Sequence, residues 1–388
     1  MGADEFAVDA LASRRAAGLM RQMRCVDGPQ DTWVTVDGCR ALLLCSNNYL
    51  GLANHPAVRE AASRAAVDYG VGSGASRLIS GSMRLHEKLE AQLAALKGTE
   101  AALVFSSGYH ANIGAITALV GRDDAVFSDA LNHASIIDAC RLSGAQVAVY
   151  PHCDIGALET ALTASPARRR LIVTESIFSM DGDMAPLQTI CDIAERYGAM
   201  LMIDEAHATG VIGPHGGGLV EAEELQGRVT LQMGTLGKAL GTFGAFVAGS
   251  RALIDLMINT ARTFIYTTAL PSPVLAASLA ALEIVAAEPA RRQRALGNAH
   301  TLRGSLAQLG LYPSGVAHVI PLRIGDPDRT MRITNQLLAE GVFVQGIRPP
   351  TVPPATARLR ITVMSTHTTD DLRFAGGAFQ RVFAVQRQ

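Results

Sequence analysis

Met200-Leu-Met-Ile-Asp-Glu-Ala-His207 is an apolar run that ends on an acid and an imidazole. The helical pattern LQTICDIAERYG precedes it and a Gly-rich loop follows, so the run reads as a strand delivering Asp204 to its carboxyl edge. The same alternation recurs upstream: AALVF leads into SGYHANIGAITALV, AVFSD into HASIIDACRLSG, AQVAVY into ALETALTA, and RLIVTES into LQTICDIAERYG. Repeated strand-helix units of this kind predict an α/β fold with a central, mostly parallel sheet. Ligands gather beyond the carboxyl ends of such strands. Attention therefore falls on Ser106 to Tyr109, Asp129 to His133, Glu175 to Ser179 and Asp204 to His207.

Outside this core the chain divides into three parts. Residues 1–45 read as a helix, within which ALASRRAAGLMRQMR carries Arg14, Arg15, Arg21 and Arg24, and then a hairpin around WVTVDGCRALLL turning at Asp37-Gly38. Residues 46–285 form the large α/β domain, with two helical stretches near its end broken by LPSP. Residues 286–388 make a smaller α+β domain, with helices near Arg292–Leu309 and Met331–Glu340, the strand-like runs HVIPLRI, VFVQGI and ARLRITV, and a closing helix after Thr369.

The 388 residues carry 34 basic and 35 acidic side chains, and 48% of them are hydrophobic. The balance of charge gives no field to attract nucleic acid or an anionic membrane, and a small ligand is expected instead. No apolar run approaches the ~20 residues of a membrane helix. MGADEFAVDALASRR lacks the apolar core of a signal peptide, so a cytoplasmic location is expected. None of the six cysteines stands in a C-x-x-C pair, so neither structural zinc nor a disulfide framework is expected.

Lys238 lies in TLGKALG (Thr235–Gly241), where small neighbours leave room for an aldehyde to condense with its amine. A solvated loop lysine is the alternative. Asp204, at a strand end, is placed to keep a pyridine nitrogen protonated, and His207 three residues on to bond a ring oxygen. A helix-capping acid and a structural histidine are the plainer options; a metal is not expected there, because no third ligand stands nearby. SSGY (Ser106–Tyr109) supplies a strand-to-helix turn at which Gly108 permits close approach of a phosphate to backbone amides. His133 is placed either to stack on a flat heteroaromatic ring or to cap the helix that follows it.

Together these segments resemble the α-oxoamine synthases, pyridoxal-phosphate enzymes of fold type I, the aspartate aminotransferase-like fold. The resemblance runs through SNNYLGLANHP, GSGASRLISG, SDALNHASIID, SIFSMDGD, IDEAHATG and TLGKALG, and so covers almost the whole chain. It implies that pyridoxal phosphate is held on Lys238, the Schiff-base lysine and proton-abstracting base. It further implies that Asp204 pairs with the ring nitrogen, that His133 stacks on the ring, and that Ser179 and His207 approach its oxygen. Gly108, Tyr109 and Thr235 would hold the phosphate, completed by Thr267 or Thr268 from the other subunit of a homodimer. Arg360, helped by Asn48, would grip the amino-acid carboxylate, with Arg358 the competing candidate on the same sheet face. FIYTTALP and IRPPTVPPATARLRIT look most like the biotin-pathway branch of the family, which joins L-alanine to a pimeloyl thioester on coenzyme A or acyl carrier protein. In that branch Arg21 and Thr351 match substrate contacts. Arg21, seven residues from Arg14 on one helical face, would meet the distal carboxylate; a solvated basic face is the alternative. Other members, such as glycine C-acetyltransferase or serine palmitoyltransferase, share the cofactor residues and differ in the acyl pocket. One departure from the family pattern is His110, read as a solvent-side helix residue without a role.

Overall fold

The computed structural model describes residues 2–385, which form two compact units. The larger comprises Asn47–Ser179 and Asp183–Leu296. Its seven-stranded sheet runs in the order Ala101–Phe105, Ala245–Gly249, Leu231–Thr235, Met200–Asp204, Arg170–Glu175, Ala125–Asp129, Gln146–Tyr150. Every pairing is parallel except those of Ala245–Gly249, which is antiparallel to both neighbours. The sheet is thus the mostly parallel one expected. Helices Gly108–Leu119 and Ala134–Ser143 pack on it through Ala111, Ala115, Ile116, Ile136 and Ala139, all fully buried with Val173, Met202 and Val247.

The antiparallel strand explains where the lysine sits. TLGKALGTFGAFVAG is a hairpin in which Thr235 pairs with Ala245. Antiparallel neighbours need no crossover helix, and the intervening loop carries Lys238 at the strand ends. Gly241 makes the loop possible: its φ is +65°, and a Cβ there would lie 2.3 Å from the Ala53 amide nitrogen.

The smaller unit runs through Ser46, takes in Met180–Gly182 and resumes at Gly297. It holds an antiparallel sheet of Val319–Gly325, Ala357–Thr362 and Gln345–Ile347, and a second sheet of Val26–Asp27, Trp33–Val36, Cys39–Leu43 and Val342–Phe343. Leu42, Leu302, Leu337, Ile361 and Phe379 are fully buried in its core. The hairpin turn is as expected, with Asp37 and Gly38 at φ 49° and 81°, the positive pair a two-residue turn requires. VFVQGI is not one strand: Val342–Phe343 pairs parallel with Leu42–Leu43, while Gln345–Ile347 joins the other sheet. The first helix is also shorter than its sequence pattern. It spans Ala3–Ala16, and Gly18, at φ +66°, turns the chain into the left-handed region, where a helix stops. Arg21 and Arg24 therefore lie beyond the helix, and Arg14 and Arg21 share no helical face. No single helix among the described residues is long and apolar enough to cross a membrane.

Candidate active site

In the larger unit Asp204 ends its strand with a side chain almost wholly buried. Its Oδ1 accepts from the Ala206 amide at 2.9 Å and its Oδ2 from Asn112 Nδ2 at 2.9 Å. Asn112, on the helix that starts at Gly108, also donates to Ser135 Oγ at 2.9 Å. Beside this acid runs a chain of polar contacts. Tyr49 Oη donates to Asn47 Oδ1 at 2.9 Å, so it accepts from His207 Nδ1 at 2.7 Å. That arrangement fixes the tautomer. The lone pair of His207 Nε2 faces Lys238, whose Nζ donates to it at 2.8 Å.

Glu175, across the ladder from Asp204, joins two further segments. Its Oε1 accepts from the His133 amide at 2.7 Å and its Oε2 from the Ser179 amide at 3.2 Å. Burial, reinforced by the neighbouring Asp204, pushes the Glu175 carboxyl up to about 8. Burial likewise holds the His133 imidazole below its ordinary range, against the opposing pull of Asp204. His133 does cap the next helix, with Nδ1 accepting from the Ser135 amide at 3.3 Å. Thr235 Oγ1 donates to the Gly244 carbonyl at 3.0 Å and accepts from the Gly237 amide, and so pins the lysine hairpin.

At the helix start, a Cβ on Gly108 would lie 3.1 Å from Met233 Cε. The Tyr109 hydroxyl reaches Asp138. His110 is not on the solvent side: it is half-buried, with Nδ1 2.6 Å from Ser106 Oγ, because the helix turns it back over its own N-terminal turn. Asn48 is buried, and its Oδ1 accepts from the Leu52 and Ala53 amides. Thr267 and Thr268 lie on a separate stretch, where Thr268 bridges to Ser76.

In the smaller unit Arg21 Nη2 donates to Thr351 Oγ1 at 3.2 Å, which brings together two residues 330 positions apart. They line a cavity of about 400 Å³ with Arg24, Asn335, Gln345 and Arg348. Arg24 is held by Asp37 at 2.9 Å and by Asn335 at 2.8 Å. Arg358 and Arg360 are both buried on the central strand, and Arg358 is paired with Asp181.

Four participants escaped the reading of the sequence: Tyr49, Asn112, Glu175 as a bridge, and Lys97. Lys97 Nζ, fully buried, meets Glu205 Oε2 at 2.6 Å, Thr209 Oγ1 at 2.9 Å and the Gly217 carbonyl. Glu205 Oε1 accepts in turn from the Leu219 and Val220 amides. The one signal available was Glu205 itself, an acid directly after an apolar strand; its partner is 108 residues away.

Known proteins resemble this chain along nearly its full length. The family model described as aminotransferase class I and II matches residues 40–378. The chain is 52% identical over 376 residues to the 8-amino-7-oxononanoate synthase of Citrifermentans bemidjiense, with 96% of each covered. It is equally 52% identical to that of Geobacter sulfurreducens over 376 residues. Among solved structures, Sphingomonas wittichii serine palmitoyltransferase superposes with a TM-score of 0.93 at 30% identity, covering 97% of each chain. The 8-amino-7-oxononanoate synthase of Francisella tularensis gives 0.76 at 25% identity, covering 90% of this chain and 99% of that one. With a fold-type-I sheet, a lysine hairpin beside a buried strand-end acid, and these relatives along nearly its full length, the chain belongs to the aminotransferase class I and II family, within its α-oxoamine synthases.

Proposed function

We propose that this enzyme condenses L-alanine with a pimeloyl thioester, carried on coenzyme A or acyl carrier protein. The products are 8-amino-7-oxononanoate, carbon dioxide and the free thiol, a step of biotin biosynthesis in the cytoplasm. The observation that carries this reading is the contact of Lys238 with His207 beside the buried Asp204, in a chain half-identical to synthases of that name. The residues fit pyridoxal phosphate. An amine on a small-residue hairpin suits the aldehyde, a buried carboxylate suits the pyridinium, and the helix start at Gly108 suits the phosphate. When bound, the cofactor supplies the electron sink that stabilises a carbanion at the amino-acid Cα.

The chain's own residues supply the rest. Lys238 Nζ takes the Cα proton, while His207, aligned by Tyr49, keeps the amine in place. Asp204, fixed by Asn112, would keep the cofactor's ring nitrogen protonated, with His133, Ser179 and His207 as further residues that would hold the ring, and Gly108, Tyr109 and Thr235 as those that would hold the phosphate. Arg360 with Asn48 orients the amino-acid carboxylate through the bidentate contact a guanidinium can make, and Arg358 pairs with Asp181. Purified enzyme is expected to show the absorption of lysine-bound cofactor, and Lys238→Ala to lose both that band and turnover. An active alanine variant would end the proposal.

Arg21 and Thr351 receive the far carboxylate of the acyl chain. An apolar chain ending in a charge needs a strong donor at its end, and the cavity around these two residues is lined by arginine. Arg21→Ala should weaken use of pimeloyl thioester by ~1 to 3 kcal/mol, with acetyl and octanoyl thioesters affected much less. Equal losses across the three donors would remove the acyl assignment.

The nearest rival is another α-oxoamine synthase, favoured by the closer superposition on serine palmitoyltransferase. Backbone similarity does not set acyl specificity. A matrix of amino acids against acyl thioesters, with products weighed by mass spectrometry, decides between them. A homodimer with shared sites, Thr267 and Thr268 reaching across, is supported by the exposure of Ile79 (80%) and Tyr266 (72%) on adjoining segments. Mixing Lys238→Ala subunits with Thr267→Ala, Thr268→Ala subunits should restore some activity; a fully active monomer in sedimentation would contradict it.

A further inference from the structure

Two turns of the larger unit carry residues assigned above to the cofactor ring: residues 130–133 end on His133, and residues 176–185 include Ser179. Glu175 joins the two through their amides. A second tie between the same turns runs through charge, and the condensation as described gives it no role. Asp129 closes its strand at the head of the first turn, where Oδ1 accepts from the Leu131 amide at 2.8 Å and Oδ2 from the Cys153 amide at 2.9 Å. The second turn closes on itself: the Phe178 amide donates to the Asp183 carbonyl at 3.0 Å and the Ala185 amide to the Ser176 carbonyl at 3.1 Å. Asp183 therefore sits at the base of that turn, across from the residue that precedes Ser179.

His152, which follows the edge strand Gln146–Tyr150, stands between the two acids. Its Nδ1 lies 3.0 Å from Asp129 Oδ1 and its Nε2 2.6 Å from Asp183 Oδ2. Phe178 packs against the imidazole nearly at right angles, with ring centroids 4.4 Å apart. Cys153 Sγ is 3.8 Å from Nδ1 and 3.7 Å from Nε2, so the thiol lies against the ring and not at either nitrogen. A neutral imidazole has a single N–H and can donate to one carboxylate only, whereas the imidazolium donates to both. Asp129 first, then Asp183 and Cys153, push the ring up to about 12 against the opposing effect of burial, and the group is a cation at neutral pH. Among the described residues it is the one cation within 4.0 Å of either acid. Asp129 is almost wholly buried, and Asp183 Oδ1 is buried with no hydrogen-bond partner among the described residues, so Asp183 depends on His152 for its side-chain bond.

We propose that His152 is a positioning residue for the condensation: by bridging Asp129 and Asp183 it sets the spacing of the turns that present His133 and Ser179 to the cofactor. The proposal rests on the placement of those two residues at the ring given above. Glu175 joins the turns through their backbone, and His152 joins their bases. Loss of the bridge leaves the Glu175 bonds in place, so the turns remain but their separation is no longer fixed from both ends.

The test compares the cofactor-loaded wild type with His152→Gln, Asp183→Ala, Ser179→Ala and the double variant Asp183→Ala, Ser179→Ala. Two quantities are read, the rate of cofactor release and the visible circular dichroism of the bound cofactor. Asp183→Ala leaves the buried Asp129–His152 pair whole, and so keeps the test available if His152→Gln does not fold. Each of the two bridge variants should release cofactor about tenfold faster or more, the scale of one lost charge-assisted hydrogen bond, with a weaker dichroic band. Because the bridge acts through Ser179, Asp183→Ala should add less than about threefold to the release rate of Ser179→Ala. A general loss of stability would multiply the two effects in full. Wild-type release from the bridge variants, or an undiminished effect of Asp183→Ala on top of Ser179→Ala, would overturn the proposal. A wild type without the absorbance of lysine-bound cofactor would instead overturn the reading of the site on which it rests.

Discussion

Asn112 shows how a single uncharged residue can govern a charged one. Its amide is the side-chain donor to Asp204 Oδ2, in a place where the carboxylate is nearly free of water. Asn112→Leu leaves that oxygen buried with one partner fewer, which should cost about 1 to 3 kcal/mol and loosen cofactor retention. Denaturant melts and the rate of cofactor release read the two effects, and an unchanged melt would mean that Asp204 finds another donor. Glu175 makes a pH-dependent prediction. Its carboxyl, up from 4.5 to about 8, binds its proton more tightly folded than unfolded. Its contribution to stability is therefore complete below pH 4.5 and is lost as pH rises through about 8. Melting temperatures of the cofactor-free chain across that range should fall less steeply for Glu175→Gln than for the wild type. Parallel curves would show that the group stays ionised.

At the scale of elements, the segment after Asp204 is held by a contact that sequence order conceals. The helix Arg84–Lys97 ends in a lysine that reaches Glu205, Thr209 and the Gly217 carbonyl, all at the loop beyond the strand. Gly218 leaves room for it: with φ +116°, it would place a Cβ 2.3 Å from Glu205 Oε2. Removing one partner of such a pair strands a buried charge. Lys97→Met should destabilise by about 3 to 5 kcal/mol, and the double variant Lys97→Met, Glu205→Leu should recover part of that loss. A melt of the double variant no better than the single would show that Glu205 matters for its bonds to the Leu219 and Val220 amides, not for its charge. The local signals at this scale were those of strands and helices. The hairpin bearing Lys238, the split of VFVQGI at Val344 and the early stop of the first helix at Gly18 were not legible, because each depends on which strand lies alongside or on a backbone angle.

For the molecule as a whole, each unit buries a neutral histidine. His86 in the larger and His367 in the smaller are both pushed down to about 4, chiefly by burial. His367 is fixed by the Met364 amide at 2.9 Å and the Leu43 carbonyl at 3.1 Å. A folded value below the unfolded 6.5 means that stability is complete above pH 6.5 and is lost as pH falls toward about 4. Both units should therefore soften over the same acid range, by up to about 3 kcal/mol for each histidine. Thermal scans from pH 7 to 4 test this, and His367→Gln should flatten the smaller unit's response. The sequence by itself determined the α/β class, the strand that ends on Asp204 and the family, because these rest on periodicity and on motifs whose chemistry is local. Only the tertiary structure decided that His207 joins Tyr49 to Lys238, that Arg21 meets Thr351, that Arg358 is taken by Asp181, and that Asp129, His152, Cys153 and Asp183 converge. Such contacts join residues tens to hundreds of positions apart, brought within 3 Å or so by strand order and helix packing, and no spacing along the chain records them.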